Sequence, residues 1–367
     1  MSGIGRDSQA CNIDEPCGKD EFLQKFAIEP PLYLPDTTPV FSNAAFQLIA
    51  FAIESLTGQQ FETFIQQKLF SQLPMPHTSF LNTTTPTFAN SSTTLPRAGE
   101  PASLSLTTTP HDLSLFGGAI LSSRLLSPSD TRRWLKPHTS TSNLRNAVGA
   151  PWEIYHFSTN ATAPVVDICT KTGAIGRYAA YFGLAPTHDV GFAILAHDAG
   201  GAPDLNAHAD VALGALLAVD AVGRAQATAE LAGTYRGAAN SSIRIGEAGE
   251  EGPGLAVGRF VVEGVDWRAR LAVLSGVADA ADLDVRLYPT NLREVGEGGA
   301  VRQVFRAVFQ DKSAPVDQGT PTCVTWMDVD SLKWKGKALD TFVFEVGGKG
   351  DATSITVPAF GVELWRR

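Results

Sequence analysis

Two short stretches carry residue types suited to chemistry. Phe41-Ser42-Asn43 stands at the start of the best-patterned segment of the chain, where a side-chain amide and unpaired backbone donors can face a ligand. The same corner also suits a plain helix cap, because Ser and Asn oxygens accept hydrogen bonds from first-turn N–H groups, so both readings stay open. Lys171-Thr172-Gly173 leads into a strand hairpin. An ammonium, a hydroxyl and a glycine at a strand edge bind a carboxylate or assist an oxyanion, the glycine letting a ligand approach the backbone; a solvated turn is the bland alternative. Other chemistries find no support. The seven histidines form no His-Glu-x-x-His pattern and the cysteines no Cys-x-x-Cys, so no metal is expected. There is no Gly-rich phosphate loop, and no other cofactor is expected. His197-Asp198 reads as an ordinary turn after a strand, and no two carboxylates are placed as a glycosidase pair.

Both stretches need elements to hold them. Phe46, Ile49, Ala50, Ile53 and Leu56 recur at three- and four-residue spacing, which predicts a helix with this stripe on its apolar face, ended by Gly58 in the left-handed conformation. Phe61 to Phe70 reads as a second helix stopped by Pro74 and Pro76, and residues 80–104 as a long loop. Thr109-Pro110-His111-Asp112 and Ser127-Pro128-Ser129-Asp130 are helix starts with a cap and proline at the first position. From Gly149 the period changes. Pro151 to Tyr155, Tyr178 to Leu184 and Val190 to Ala196 read as strands, the last two a hairpin across residues 186–189. Pro203 to Val222 is an Ala- and Leu-rich helix suited to cover a sheet. The domains expected are 1–222, a helical layer with an antiparallel sheet; 223–232, an Ala-rich linker; and 233–367, all strands, including Ala269 to Leu274 and Thr322 to Val329, as in a small β-barrel. Trp267, Trp326, Trp334 and Trp365 are its candidate core fillers. The fold class is therefore α+β followed by all-β.

The chain has 367 residues, 44% of them apolar and 18% charged, with a net charge of -9. That balance disfavours nucleic acid and anionic membrane as partners. The most apolar run, Val211 to Val222, is broken by Asp220 and too short to span a membrane; oligomeric state is not legible. Met1 to Asp7 lacks the apolar core of a signal peptide. Other features suit secretion: Cys11 and Cys17 are close enough to clip a loop, and Asn-x-Ser/Thr acceptors occur at Asn82, Asn90, Asn160 and Asn240.

Taken in order, Phe41-Ser42-Asn43, the run from Thr57-Gly58 through Leu69 to Thr78, Thr108 to Leu113, Gly149 to Trp152 and Lys171-Thr172-Gly173 resemble the serine beta-lactamase and penicillin-binding protein superfamily, in particular its class C-like esterases, D-amino-acid peptidases and transesterases. The strand-rich remainder looks like the lipocalin-like tail of fungal members. The resemblance implies a beta-lactamase/transpeptidase-like fold and a serine in Ser-x-x-Lys that attacks a carbonyl, helped by the tyrosine of Tyr-x-Asn. It also implies substrate contacts at Asn43, Lys171, Thr172 and Gly173. No serine here is followed by lysine three residues on, and Phe41 holds the tyrosine's position; a phenyl ring carries no proton. Met1 to Gly5 looks like the loop that follows the family's nucleophile helix, so the resemblance implies a domain incomplete at its N-terminus. The expectation is a chain inactive as an acyl-enzyme in this form. The alternatives are a hydrolase or acyltransferase of a small ester, lactone or amide whose catalytic N-terminus lies outside the chain, and a non-catalytic small-ligand binder.

Overall fold

The computed structural model describes residues 2–7, 11, 17–80, 101–158, 165–248, 252–296, 299–313, 327–348 and 350–367. Asn82, Asn90, Asn160, Cys323 and Trp326 lie outside them. The chain divides into two compact units, one of Met1–Thr159 and Val165–Leu216, the other of Asn160–Pro164 and Leu217–Arg367.

The first unit is built on a six-stranded antiparallel meander: Thr139–Ser140, Asn146–Val148, Glu153–Phe157, Val166–Ile175, Tyr178–Ala185 and Val190–His197, neighbours in space in the same order. Alternation along the strands divides their apolar residues between two faces. Ile154, Cys169, Phe182 and Leu184 pack with Ile120, Leu135 and Trp152, under the Pro110–Leu121 and Pro128–Trp134 helices. Ile168, Ala185 and half-buried Tyr155 and Phe192 point the other way and pack with Leu213 and Leu216 of the Asn206–Leu231 helix. Each fully buried Ile, Leu or Phe contributes about 1.5–3 kcal/mol, so both faces stabilise the sheet.

Helix starts follow local chemistry. Ser42, Thr109 and Ser127 each accept a first-turn N–H, from Ala45, Asp112 and Asp130 respectively, and Gly58 ends the Asn43–Thr57 helix at φ 69°. Asp112, in the first turn of its helix, is fully buried. It accepts from the His77 backbone N–H at 2.9 Å and the Thr78 hydroxyl at 2.7 Å, which ties the preceding chain to the helix.

The buried face of the Asn43–Thr57 helix keeps Ala50 of the expected stripe but otherwise differs from it. Asn43, Ala44, Gln47 and Ala50 are buried, whereas Phe46, Ile49 and Leu56 are 40%, 51% and 86% exposed. Two neighbours select that face. Ala44, Leu48 and Phe51 pack with Phe22 of the Lys19–Phe26 helix and with Cys11, and the Gln47 side-chain oxygen accepts from Ala102 N at 3.1 Å. Cys11 is disulfide-bonded to Cys17. The second helix expected, from Phe61, is α-helical to Ile65 and continues as a π-helix over Gln66–Phe70. Pro101–Leu104, expected as loop, forms one helical turn.

The expected linker 223–232 is helical through Leu231, because the Asn206–Leu231 helix runs on for 26 residues. By length and composition alone it is long and apolar enough to cross a membrane. It nevertheless carries an Asp220–Arg224 ion pair, and Leu213 and Leu216 pack on the sheet. Its last carbonyls are capped by Arg366, whose guanidinium donates to Ala229, Glu230 and Ala232 oxygens at 2.6–2.9 Å.

The second unit is a closed eight-stranded antiparallel barrel. Its order is Ser241–Ala248, Gly233–Gly237, Val362–Arg366, Ala352–Val357, Thr341–Val346, Val301–Asp311, Leu283–Val295 and Leu255–Val262, which pairs back to Ser241–Ala248. Tyr235, Ile243, Phe260, Leu287, Phe342, Phe344 and Leu364 fill its core. Trp267–Leu274 is a helix rather than a strand, capped by the Asp266 carboxylate, with Trp267 and Leu271 buried. Residues 327–329, the described end of the strand expected over 322–329, are not strand. Trp334 meets Trp267 edge-on at 5.0 Å, whereas Trp365 is exposed: its neighbour Leu364 takes the inward position.

Candidate functional site

Ser42 is a cap. Its hydroxyl accepts from Ala45 N at 2.9 Å and donates to Gly5 O at 2.6 Å. Asn43, the first helical residue, is buried: its N–H donates to Arg6 O at 2.7 Å and its side-chain amide to Asp7 Oδ1 at 2.6 Å. The two readings of the corner are thus divided between adjacent residues, one holding the helix end and the other lining a cavity. The half-exposed Phe41 ring lies between two cations, Arg6 Cζ at 5.1 Å and Lys171 Nζ at 5.0 Å from its centroid. Such contacts contribute about 0.5–1 kcal/mol each at exposed sites.

The Lys171–Gly173 segment belongs to the Val166–Ile175 strand. On one side Lys171, Thr172 and Gly173 pair with Phe182, Tyr181 and Ala180. On the other side the Glu153–Phe157 strand reaches only as far as the Glu153–Thr170 pair, so the ladder ends there and an edge opens. Glu153 turns its carboxylate onto that edge. Oε1 accepts from Lys171 Nζ at 2.5 Å, and Oε2 from Thr172 N at 3.2 Å and Thr172 Oγ1 at 3.0 Å. Lys171 Nζ also donates to Thr172 O at 3.0 Å.

Phe41, Asn43, Glu153, Lys171, Thr172 and Gly173 all line one cavity of about 700 Å³. A Cβ added at Gly173 would have only Ala180 Cβ within 4 Å, at 3.8 Å, so space rather than protein lies beside it. Tyr181 lines the same cavity. Burial pushes its phenol up from the usual range, against the lowering effect of a hydrogen bond with Thr170, so it is protonated at neutral pH. Ser103 also lines the cavity, and Leu106 rather than a lysine stands three residues on. Among the described residues no three His, Cys, Asp or Glu side chains cluster as metal ligands. The sequence reading brought together Asn43, Lys171, Thr172 and Gly173 but missed Glu153, whose only local signal was an acid opening a short strand.

The family pattern described as "Beta-lactamase" matches residues 3–217. The chain belongs to the beta-lactamase family. A second pattern, "Beta-lactamase-like-like, C-terminal domain", matches residues 223–367. Among curated relatives, a "Beta-lactamase-like protein" of Arthroderma benhamiae is 24% identical over 95% of this chain and 64% of its own length. A "Probable hydrolase" of Cochliobolus lunatus is 23% identical over 97% of this chain and 60% of its own length. This family member thus spans under two thirds of the length of either relative. Among solved structures, a beta-lactamase/D-alanine carboxypeptidase from Yersinia pestis has a TM-score of 0.43 at 19% identity, covering 54% of this chain and 61% of that one. A D-amino acid amidase from Ochrobactrum anthropi has a TM-score of 0.41 at 14% identity, covering 53% and 61%.

Proposed function

We propose that the cavity beside the Lys171–Gly173 edge is the ligand-binding part of a serine-hydrolase-type site for a small ester, lactone or amide, and that these 367 residues by themselves form no acyl-enzyme. The observation that carries the reading is the convergence on one cavity of Asn43 and the Lys171–Gly173 segment, more than about 100 residues apart in sequence. No Ser-x-x-Lys occurs in the 367 residues, and Phe41 supplies a ring without a hydroxyl. Nucleophilic catalysis needs a nucleophile and base within hydrogen-bond reach, and this sequence pairs none in the family's spacing. Hydrolysis or acyl transfer by a longer protein is the second reading, favoured by relatives described as probable hydrolases that extend well beyond the matched region.

We also read the first unit as class C-like and the barrel as lipocalin-like, the latter supported by closure of eight antiparallel strands. Secretion is proposed from the Cys11–Cys17 disulfide and from Asn240, an exposed acceptor in a turn. The deciding experiment treats the chain with a fluorophosphonate and an activated beta-lactam and analyses it by intact mass. No adduct is expected, and none with Phe41→Tyr, because a phenol alone supplies no nucleophilic serine. An adduct abolished by mutating one specific serine overturns the reading.

A further inference from the structure

We propose that Glu153 is a built-in carboxylate ligand of the Lys171–Thr172 edge and thereby sets specificity: the edge receives the neutral carbonyl of an ester, lactone or amide and turns away a substrate's own carboxylate. This rests on the reading of the cavity as a small-ligand site.

An ammonium, a hydroxyl and an outward backbone N–H form, together, a site for an anion. Here all three donate to one carboxylate, the ammonium to Oε1 and both Thr172 donors to Oε2. A ligand carboxylate would offer the same two oxygens on one carbon, so Glu153 occupies the place such a group would take. It also cancels the charge of Lys171, the cation nearest the edge, while Arg6 at the same cavity is paired with Asp7 at 3.4 Å. An incoming carboxylate therefore meets a like charge where it would need an attractive one. A neutral carbonyl meets no such repulsion. Thr172 N points to the open edge, and strand alternation puts the Ala174 N–H on that edge too, beside the same cavity.

The test follows the Thr172 amide by NMR while sodium acetate is titrated into wild type, Glu153→Gln and Glu153→Ala. Acetate is expected to bind at Thr172 at least about tenfold more tightly in both variants than in wild type, a change that one charge-assisted hydrogen bond supports. Adding Lys171→Met to Glu153→Ala should abolish the response. Equal acetate affinity at Thr172 in wild type and variants overturns the proposal. Should a variant fail to fold, the wild type still decides: Lys171 Nζ protons held by Glu153 exchange slowly with solvent, and fast exchange equally overturns it. A parallel titration with N-acetylphenylalanine methyl ester reads the cavity itself. Wild type that ignores the ester while the acetate contrast holds overturns the ligand reading and leaves the carboxylate role of Glu153 supported.

Discussion

Gly173→Ala is expected to leave the fold intact and close the cavity to ligand. A Cβ there meets only Ala180 Cβ at 3.8 Å, an ordinary contact, and Gly173 is not among the positive-φ glycines. Alanine then stabilises by about 0.4–1 kcal/mol, because the unfolded chain has less freedom to lose. Gly191→Ala is the contrasting control: its Cβ would lie 2.7 Å from Leu184 Cδ2 and 2.8 Å from the Gly183 carbonyl oxygen. Backbone cannot step aside as a long side chain can, and overpacking of this kind costs about 1–3 kcal/mol. In a unit of about 200 residues each kcal/mol moves the midpoint by about 2–4 °C. Thermal unfolding followed by near-ultraviolet circular dichroism should show a small rise for Gly173→Ala and a fall of several degrees for Gly191→Ala. With N-acetylphenylalanine methyl ester, the Asn43 side-chain signal should respond in wild type and Gly191→Ala, and at least about tenfold more weakly in Gly173→Ala. A Gly173→Ala protein that loses more than about 1 kcal/mol, or binds the ester as wild type does, refutes the claim that the space beside Gly173 is kept for a ligand.

Asp112→Ala strips the partner from the part-buried His77 N–H and breaks the Thr78 contact, although Thr78 keeps Thr108 at 2.8 Å. Native-state hydrogen exchange at His77 should accelerate about 100-fold, matching a loss of about 3 kcal/mol; unchanged protection refutes it. Burial first, and the Asp167 charge second, push the Cys169 thiol from 9.0 up to about 12, so it stays a thiol at pH 8. Mass spectrometry after iodoacetamide treatment should find Cys169 unmodified in the folded protein and alkylated after unfolding. Between about pH 9 and 12 the folded state holds a proton that the unfolded state has released. This contribution to stability is therefore present below pH 9 and is lost as pH rises through that window. A Cys169→Ala variant should show a shallower alkaline decline in urea midpoint.

Local signals carried far in this chain. Ser42, Thr109 and Ser127 cap the helices they precede, Gly58 ends the helix it follows, and the hairpin turns at residues 186–189, because capping and turn geometry depend on residues within one turn of chain. Choosing a helix face is different. Of the apolar stripe Ala50 is buried, yet Phe46, Ile49 and Leu56 are exposed while Ala44 and Gln47 are buried, since the covering surface comes from the 19–26 and 101–104 segments. Ala269 to Leu274 reads as strand because six residues dominated by Ala, Leu, Val and Arg distinguish poorly between the two periods, whereas the Asp266 cap and the barrel wall select the Trp267–Leu274 helix.

The residue types flagged the 41–43 and 171–173 stretches, and their order resembled the beta-lactamase superfamily, which implied Asn43, Lys171, Thr172 and Gly173 as a set; the same sequence holds no Ser-x-x-Lys and no tyrosine hydroxyl at Phe41. Those are properties of covalent structure, present whether or not the chain folds. Only tertiary structure brought the four to one cavity and aimed the Glu153 carboxylate at Lys171 and Thr172. That meeting depends on strand register, with Glu153 opposite Thr170 at the last rung of its ladder. A slip of one residue would turn Glu153 to the other face of the sheet, and register is settled by the packing of Ile154, Cys169 and Phe182 against the helices, not by any residue of the site.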